Sequence, residues 1–310
     1  MSTVVFSLPG NERFAAAVAT RLGSEQGGMT VRRFPDGESY LRIDTPVRGR
    51  QIAFTCTLHE PDQKIPALLF AASTARELGA TRIGLIAPYL AYMRQDRRFA
   101  EGESVTSIYF ARLLSGHFDW LVTVDPHLHR WTSLDQLYTV PGLVVRAAPL
   151  LSHWIRGNVE APILIGPDSE SEQWVSEVAR GVDAPYLVLE KTRRGDRDVS
   201  VTIPEIGAHR ARTPVLVDDI ISTAHTMMAA VRHLTGLGLA APVCVGIHAV
   251  FAGNAHAELL SAGAAHVVTA NTIPHPSNAI DVTQAIADAL LLSSRVPLLD
   301  HEGGQFGADM

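Results

Sequence analysis

Short apolar runs rich in β-branched residues alternate with helically spaced segments along almost the whole sequence, and few folds accommodate that rhythm. In the first half VVFSLPG, MTVRRF, YLRI, IAFTCTL, RIGLIAP and WLVTVDPH read as strands, with helices over ERFAAAVATRL, PALLFAASTARELGA and SVTSIYFARLLSG. In the second half APILIGPD, YLVLEK, VSVTI, TPVLVDDI, PVCVGIHAVF and HVVTANT read as strands, with helices over EQWVSEVARGV, HTMMAAVRHLTGLG and NAHAELLSAGA. Strand–helix alternation predicts mostly parallel sheets covered on both faces, and near-continuous apolar runs suit strands buried on both faces. The halves also resemble each other, since LVTVDPH and PVLVDDI are both apolar strands ending in an acid. The expected architecture is α/β, with two similar domains over residues 1–147 and 148–280, each a mostly parallel sheet flanked by helices. Residues 281–310 would hold a last helix over about 281–293 that packs back on the first domain, then a Gly-rich polar tail.

The 310 residues fit that division, because ordinary α/β domains run to about 150 residues. A net charge of −6 argues against a broad nucleic-acid surface but leaves room for a local basic pocket. Cys56 and Cys244 lie in apolar runs, which points to buried, reduced thiols and not to a disulfide framework. The N-terminus lacks a basic region followed by a long apolar one, and no stretch reaches the roughly 20 apolar residues of a membrane span. The expectation is a cytoplasmic protein with no membrane partner.

In parallel α/β sheets ligands bind beyond the carboxyl ends of strands, and the polar motifs fall there. VLVDDIISTAHTM, residues 215–227, runs an apolar strand into Asp218 and Asp219, then carries Ser222, Thr223 and Thr226 into a helix. A helix N-terminus binds phosphate, and the carboxylates can hold sugar hydroxyls or a magnesium ion. The plain alternative is a strand end with an N-capping hydroxyl. YMRQDRRFAEGE, residues 92–103, sets three arginines within five residues after a strand, an edge suited to a triphosphate if it is not merely a solvated charge run. Asp96 among them would keep the arginines oriented. TVDPHLHR would put Asp125, His127 and His129 on one face if the strand continued past Pro126. Only Lys64 and Lys191 of the 26 basic residues are lysines, so a compact, mobile ammonium has two candidate sources. GLGLAA imitates a dinucleotide fingerprint but follows a helix and precedes a strand, and no Walker-type P-loop is present.

Residues 215–226 resemble the phosphoribosyl-diphosphate motif of type I phosphoribosyltransferases and ribose-phosphate pyrophosphokinases. FPDGESYLRI, residues 34–43, the Arg94–Arg98 stretch and LEKTRRGDRDVSV, residues 189–201, resemble the pyrophosphokinases alone. The resemblance implies two phosphoribosyltransferase-like domains and transfer of the diphosphoryl group of ATP to the 1-hydroxyl of ribose 5-phosphate. It implies that Asp218 and Asp219 hold the ribose hydroxyls and that Ser222, Thr223, Ala224, His225 and Thr226 wrap the 5-phosphate. ATP would meet Phe34, Asp36, Glu38, Arg94, Gln95 and Asp96, with the acids of the 34–38 segment supplied by a neighbouring copy in a homodimer or larger assembly. His127 and Asp168 would serve Mg²⁺, and Lys191 and Arg193 the transition state. His129 is given no role. The family's usual Thr-Gly-Gly-Thr stands here as Thr223-Ala224-His225-Thr226. Because alanine replaces glycine cheaply only at negative φ, the loop is expected to enter its helix without a left-handed residue. A phosphoribosyltransferase and a non-catalytic regulatory relative remain the alternatives.

Overall fold

The computed structural model describes residues 3–128, 130–167, 171–194, 198–202 and 206–295. The first half runs β1 (Thr3–Ser7), α1 (Glu12–Leu22), β2 (Glu25–Gln26), β3 (Met29–Arg33), β4 (Ser39–Ile43), β5 (Gln51–Thr55), α2 (Ile65–Glu77), β6 (Arg82–Ala87), α3 (Thr106–Ser115), β7 (Trp120–Val124) and β8 (Gly142–Val145). Six of these strands form an all-parallel sheet in the order β2-β1-β5-β6-β7-β8. Strands β3 and β4 form a separate antiparallel hairpin that rests on α2.

The second half continues with α4 (Ala148–Asn158), β9 (Pro162–Gly166), α5 (Glu172–Val182), β10 (Tyr186–Val188), β11 (Glu190–Arg194), β12 (Asp198–Thr202), β13 (Thr213–Ile221), α6 (His225–Gly236), β14 (Val243–Ala249), α7 (Ala255–Ser261), β15 (His266–Ala270), β16 (Asn278–Ile280) and α8 (Thr283–Arg295). Its main sheet is again parallel, in the order β10-β9-β13-β14-β15-β16, and β11 and β12 pair as an antiparallel hairpin.

Burial explains the apolar runs. Strand β14 is buried along its whole length, and β6 is buried from Ile83 to Ala87. Two glycines make close packing possible. A Cβ on Gly84 would come within 1.8 Å of the Trp120 ring, and one on Gly246 within 2.6 Å of Ile221 Cδ1. One core cluster joins the halves, taking Val5 and Val122 from the first sheet, Leu151 and Val175 from α4 and α5, and Val215 and Val245 from the second. Each such side chain contributes about 1.5–3 kcal/mol on burial, so the two sheets are held as one body.

Helix α8 returns to pack on α1, with Leu290 against the shared core. It starts two residues later than the sequence pattern suggests, because the Asp281 carboxylate accepts the Thr283 N–H at 3.0 Å and its hydroxyl at 2.8 Å. Asp281 also meets Arg21 at 2.7 Å. Strand β8 and helix α4 were not apparent in the alternation. Strand β8 has four residues, and α4 carries Pro149 in its first turn and Gly157 near its end, which blurs both periods. The thiols of Cys56 and Cys244 are buried and unpaired, as expected.

Candidate active site

Strand β13 is buried from Pro214 to Val217, and its exposure opens at Asp218 and Asp219. The strand does not stop there, because Ile220 and Ile221 still pair with His248 and Ala249 of β14. The two aspartates therefore project from rigid sheet and not from a loose turn. Asp218 Oδ1 accepts the Asp219 N–H at 2.9 Å, which ties the first carboxylate to the backbone. Beyond Ile221, the Phe251 N–H donates to the Ile221 carbonyl at 2.8 Å and the Ala252 N–H to the Ser222 carbonyl at 3.2 Å. These bonds pin the start of the 222–226 loop.

The loop differs from expectation at Ala224, which caps α6 in the left-handed region at φ 57°, ψ 14°. The chain must reverse sharply between the pinned Ser222 and the first turn of α6, where the Met228 N–H donates to the Ala224 carbonyl at 2.8 Å. Only a left-handed residue makes that turn here, so alanine keeps the geometry that glycine would favour and bears a strain of roughly 1–2 kcal/mol. His225 is the first helical residue and is exposed, as is Thr223. Thr226 faces a cavity of about 570 Å³ that it shares with Asp218, Asp219 and His127.

His127 arrives from the first sheet. Strand β7 ends at Val124, and Asp125, at φ 29°, turns the chain, so the strand does not continue past Pro126 to carry its alternation to His127. The buried Asp125 carboxylate accepts the Ala147 N–H at 2.6 Å and Arg146 Nη1 at 3.3 Å, which anchors the turn. Across the cavity His127 Nδ1 lies 2.6 Å from Asp219 Oδ2. Burial alone would raise the Asp219 carboxyl. The hydrogen bond and charge of His127, with the Asp218 contact, outweigh that and hold it well below the usual carboxylate range.

Arg94 is exposed in the segment after β6, and its charge acts with that of Asp219 on the Tyr89 hydroxyl, whose pKa is raised chiefly by burial. The arginine stretch therefore borders the same site. The Gln95 carbonyl accepts the Ser107 N–H at 3.3 Å, which fastens the segment to α3. Among the described residues no ion pair joins Asp96 to Arg94, Arg97 or Arg98. The largely buried Asp96 carboxylate pairs with Arg130 at 3.7 Å, while Arg97 stacks on Phe99 at 4.6 Å and Arg98 Nε donates to the Glu103 carbonyl at 2.9 Å. Phe34, Asp36 and Glu38 form the exposed tip of the β3–β4 hairpin. The Phe34 N–H donates to the Glu38 carbonyl at 2.8 Å, and Arg32 lies 4.7 Å from the Phe34 ring. Among the described residues no hydrogen bond or ion pair joins this tip to Asp219.

Lys191 and Arg193 stand on β11, opposite Val201 and Val199 of β12. Asp168 and His129 lie outside the described residues. The other lysine is structural. Lys64 Nζ donates to the Thr57 carbonyl at 2.9 Å, the His59 carbonyl at 2.5 Å and His59 Nδ1 at 2.9 Å.

One residue near the site was passed over in the sequence. His248 is 1 % exposed, and burial pulls its pKa down to about 4, so its ring is neutral. Its ring lies 5.0 Å from that of Tyr89. The only sequence signal was a lone histidine in the otherwise apolar PVCVGIHAVF.

Among the described residues no group of three or more His, Cys, Asp and Glu side chains could cage a metal. His127 is oriented by Asp219, as carboxylate partners orient metal-binding histidines.

Two parallel sheets sharing a core, with an acid pair entering a phosphate-type loop at a strand end of the second, define a protein of the phosphoribosyltransferase structural class. Residues 133–285 match the phosphoribosyl transferase domain, and residues 3–117 match the N-terminal domain of ribose phosphate pyrophosphokinase. A ribose-phosphate pyrophosphokinase of Methanopyrus kandleri is 32% identical over 289 residues, covering 93% of this chain and 98% of the relative. That of Sulfurisphaera tokodaii is 35% identical over 267 residues, covering 82% and 88%. The crystal structure of phosphoribosylpyrophosphate synthetase from Mycobacterium smegmatis superposes with a TM-score of 0.82 at 25% identity, covering 95% of this chain and 99% of that one. The chain belongs to the ribose-phosphate pyrophosphokinase family.

Proposed function

We infer that this chain transfers the diphosphoryl group of ATP to the 1-hydroxyl of ribose 5-phosphate, giving 5-phosphoribosyl 1-diphosphate and AMP. The observation that carries the reading is the 2.6 Å contact between His127 and Asp219, 92 residues apart, which sets the histidine of the first sheet against the acid pair of the second. Asp218 and Asp219 accept hydrogen bonds from the ribose hydroxyls. Residues 222–226 offer backbone N–H groups at the α6 N-terminus to the 5-phosphate. Arg94 and Gln95 hold the nucleotide from the first sheet. Phe34, Asp36 and Glu38 serve the ATP of a neighbouring copy, in keeping with an exposed tip whose own contacts are local, so the working enzyme is a homo-oligomer. On this reading residues 1–147 carry ATP and residues 148–280 carry ribose 5-phosphate, in a cytoplasmic protein. Among the described residues no helix is long and apolar enough to cross a membrane.

The ribose 1-oxygen forms a bond to the β-phosphorus as the bond from that phosphorus to the α,β-bridging oxygen breaks. AMP leaves with the bridging oxygen, and the hydroxyl proton passes to solvent. Mg²⁺, held near His127 and Asp168, would supply charge neutralisation on the phosphate oxygens. Lys191 and Arg193 place fixed positive charge where negative charge builds on the leaving side. The remaining contribution is alignment of the two substrates. An omission assay tests the reading. AMP should form only when Mg²⁺, ATP and ribose 5-phosphate are all present, whereas AMP-forming activity absent from the complete mixture would overturn it.

A further inference from the structure

His248 lies where the ends of four strands converge, and its two ring nitrogens face different halves of the molecule. Nε2 is 3.3 Å from the carbonyl oxygen of Asp125, just beyond β7. Nδ1 is 2.9 Å from the hydroxyl of Thr272, just beyond β15. The Tyr89 ring, from the loop after β6, covers the imidazole edge to face at 5.0 Å and 67°. The network continues to β5, since the Thr57 hydroxyl donates to the Thr272 carbonyl at 2.6 Å and the Thr57 N–H donates to Asn11 Oδ1 at 2.8 Å.

The proton positions follow from the partners. A carbonyl oxygen only accepts, so the proton of the neutral ring sits on Nε2 and points at Asp125. Nδ1 is then the acceptor of the Thr272 hydroxyl at 2.9 Å, a single donor that also lies within reach of the Ile247 carbonyl at 3.0 Å. Each buried polar atom of the ring is thereby satisfied, and a ring with its proton on Nδ1 would leave the Asp125 carbonyl facing a lone pair.

The bond adds a second restraint to the turn at Asp125, whose φ is positive and whose carboxylate is already held by Ala147 and Arg146. Two residues later the same turn delivers His127 to Asp219. The Tyr89 hydroxyl, on the ring that His248 backs, feels the charges of both Arg94 and Asp219. We propose that His248 is a positioning residue: by donating to the Asp125 carbonyl and backing the Tyr89 ring, it sets where His127 and Arg94 stand relative to Asp219. Its own ring contacts are with Asp125, Thr272 and Tyr89. The proposal rests on the functional reading of the His127–Asp219 pair, and its effect falls mainly on the nucleotide side, since Asp219 itself is held in β13. The 222–226 loop is held independently by the Phe251 and Ala252 N–H groups.

The test compares His248→Gln, whose amide can donate to Asp125 and accept from Thr272, with His248→Phe, which keeps a ring of similar shape without either bond. In His248→Phe, kcat should fall and KM for ATP should rise, each at least about tenfold, as expected for a small misplacement of aligning groups. KM for ribose 5-phosphate should stay within about threefold, well under the tenfold change that 1.4 kcal/mol would produce. His248→Gln should recover most of the loss. Thr272→Val, which removes the Nδ1 partner while keeping the native ring, should shift KM for ATP in the same direction by less, and it carries the test if His248→Phe does not fold. Imidazole NMR of His127 gives a readout that needs no turnover. Its hydrogen-bonded Nδ1 proton signal should persist in His248→Gln and be lost or displaced in His248→Phe. Wild-type protein without activity but with that NMR pattern would retain the clamp and discard the functional reading. Equal losses in the Gln and Phe variants, equal changes in both KM values, or an unmoved His127 signal in His248→Phe would overturn the proposal.

Discussion

Acid should weaken this fold through His248. The ring sits at 1 % exposure and its pKa is pulled from 6.5 to about 4, first by burial and only partly countered by the Asp125 carbonyl and the Asp219 charge. The unfolded chain takes up a proton near pH 6.5, and the folded chain does not until about pH 4. Stability from this group is therefore complete above pH 6.5 and is lost as pH falls towards 4, because the unfolded state binds more protons throughout that window. At about 1.4 kcal/mol per pH unit, the loss across the window is about 3 kcal/mol. Burial also lowers the pKa of His59 and His275, but those residues are common to the wild type and a His248→Gln variant and cancel in the difference. Urea unfolding of both proteins at intervals from pH 7.5 to 4 measures it. The wild-type advantage over His248→Gln should shrink by about 3 kcal/mol, a large part of a typical domain's stability. Parallel stability curves for the two proteins would refute the neutral, buried assignment of the ring.

Three further outcomes follow from other parts of the molecule. Lys191→Ala should lower kcat by roughly 10²–10³ with KM for ribose 5-phosphate nearly unchanged, like loss of one oxyanion donor; near-normal kcat would remove Lys191 from the reaction. A Glu38→Ala chain mixed with a Lys191→Ala chain should regain activity once subunits exchange, and no recovery despite demonstrated exchange would place both residues in one chain's site or outside it. Ala224→Gly should raise stability in urea by about 0.5–1 kcal/mol, since glycine relieves the left-handed strain while adding unfolded-state entropy; a destabilised variant would mean that Ala224 is not left-handed in solution.

Local chemistry was legible and long-range partnership was not. The apolar run ending in Asp218 and Asp219 announces a strand-end site by itself, because paired carboxylates are costly beside a core without a purpose. The 2.6 Å approach of His127 to Asp219 cannot be read from either segment, since it depends on how two sheets dock. Asp96 shows the same limit. Three arginines within five residues suggest local pairing, yet its partner is Arg130, brought near by the turn after β7. Ala224 was misjudged because propensity was weighed without the tether. The Phe251 and Ala252 N–H groups fix the loop entry and leave only a left-handed route into α6. His248 looked like one polar residue in a buried strand because its partners at Tyr89, Asp125 and Thr272 are scattered along the chain.

Diphosphoryl transfer differs from transfer of a single phosphoryl group in where the sugar oxygen ends up, and following that oxygen decides between them. Ribose 5-phosphate labelled with ¹⁸O at the 1-hydroxyl, incubated with Mg²⁺, ATP and the protein, is followed by ³¹P NMR. Attack on the β-phosphorus predicts AMP and 5-phosphoribosyl 1-diphosphate in equal amounts. The label should lie in the bridge between C1 and the diphosphate, seen as an isotope shift on the phosphorus that was β in ATP. Formation of ADP with a singly phosphorylated C1, or unlabelled AMP arising without labelled phosphoribosyl diphosphate, would contradict it.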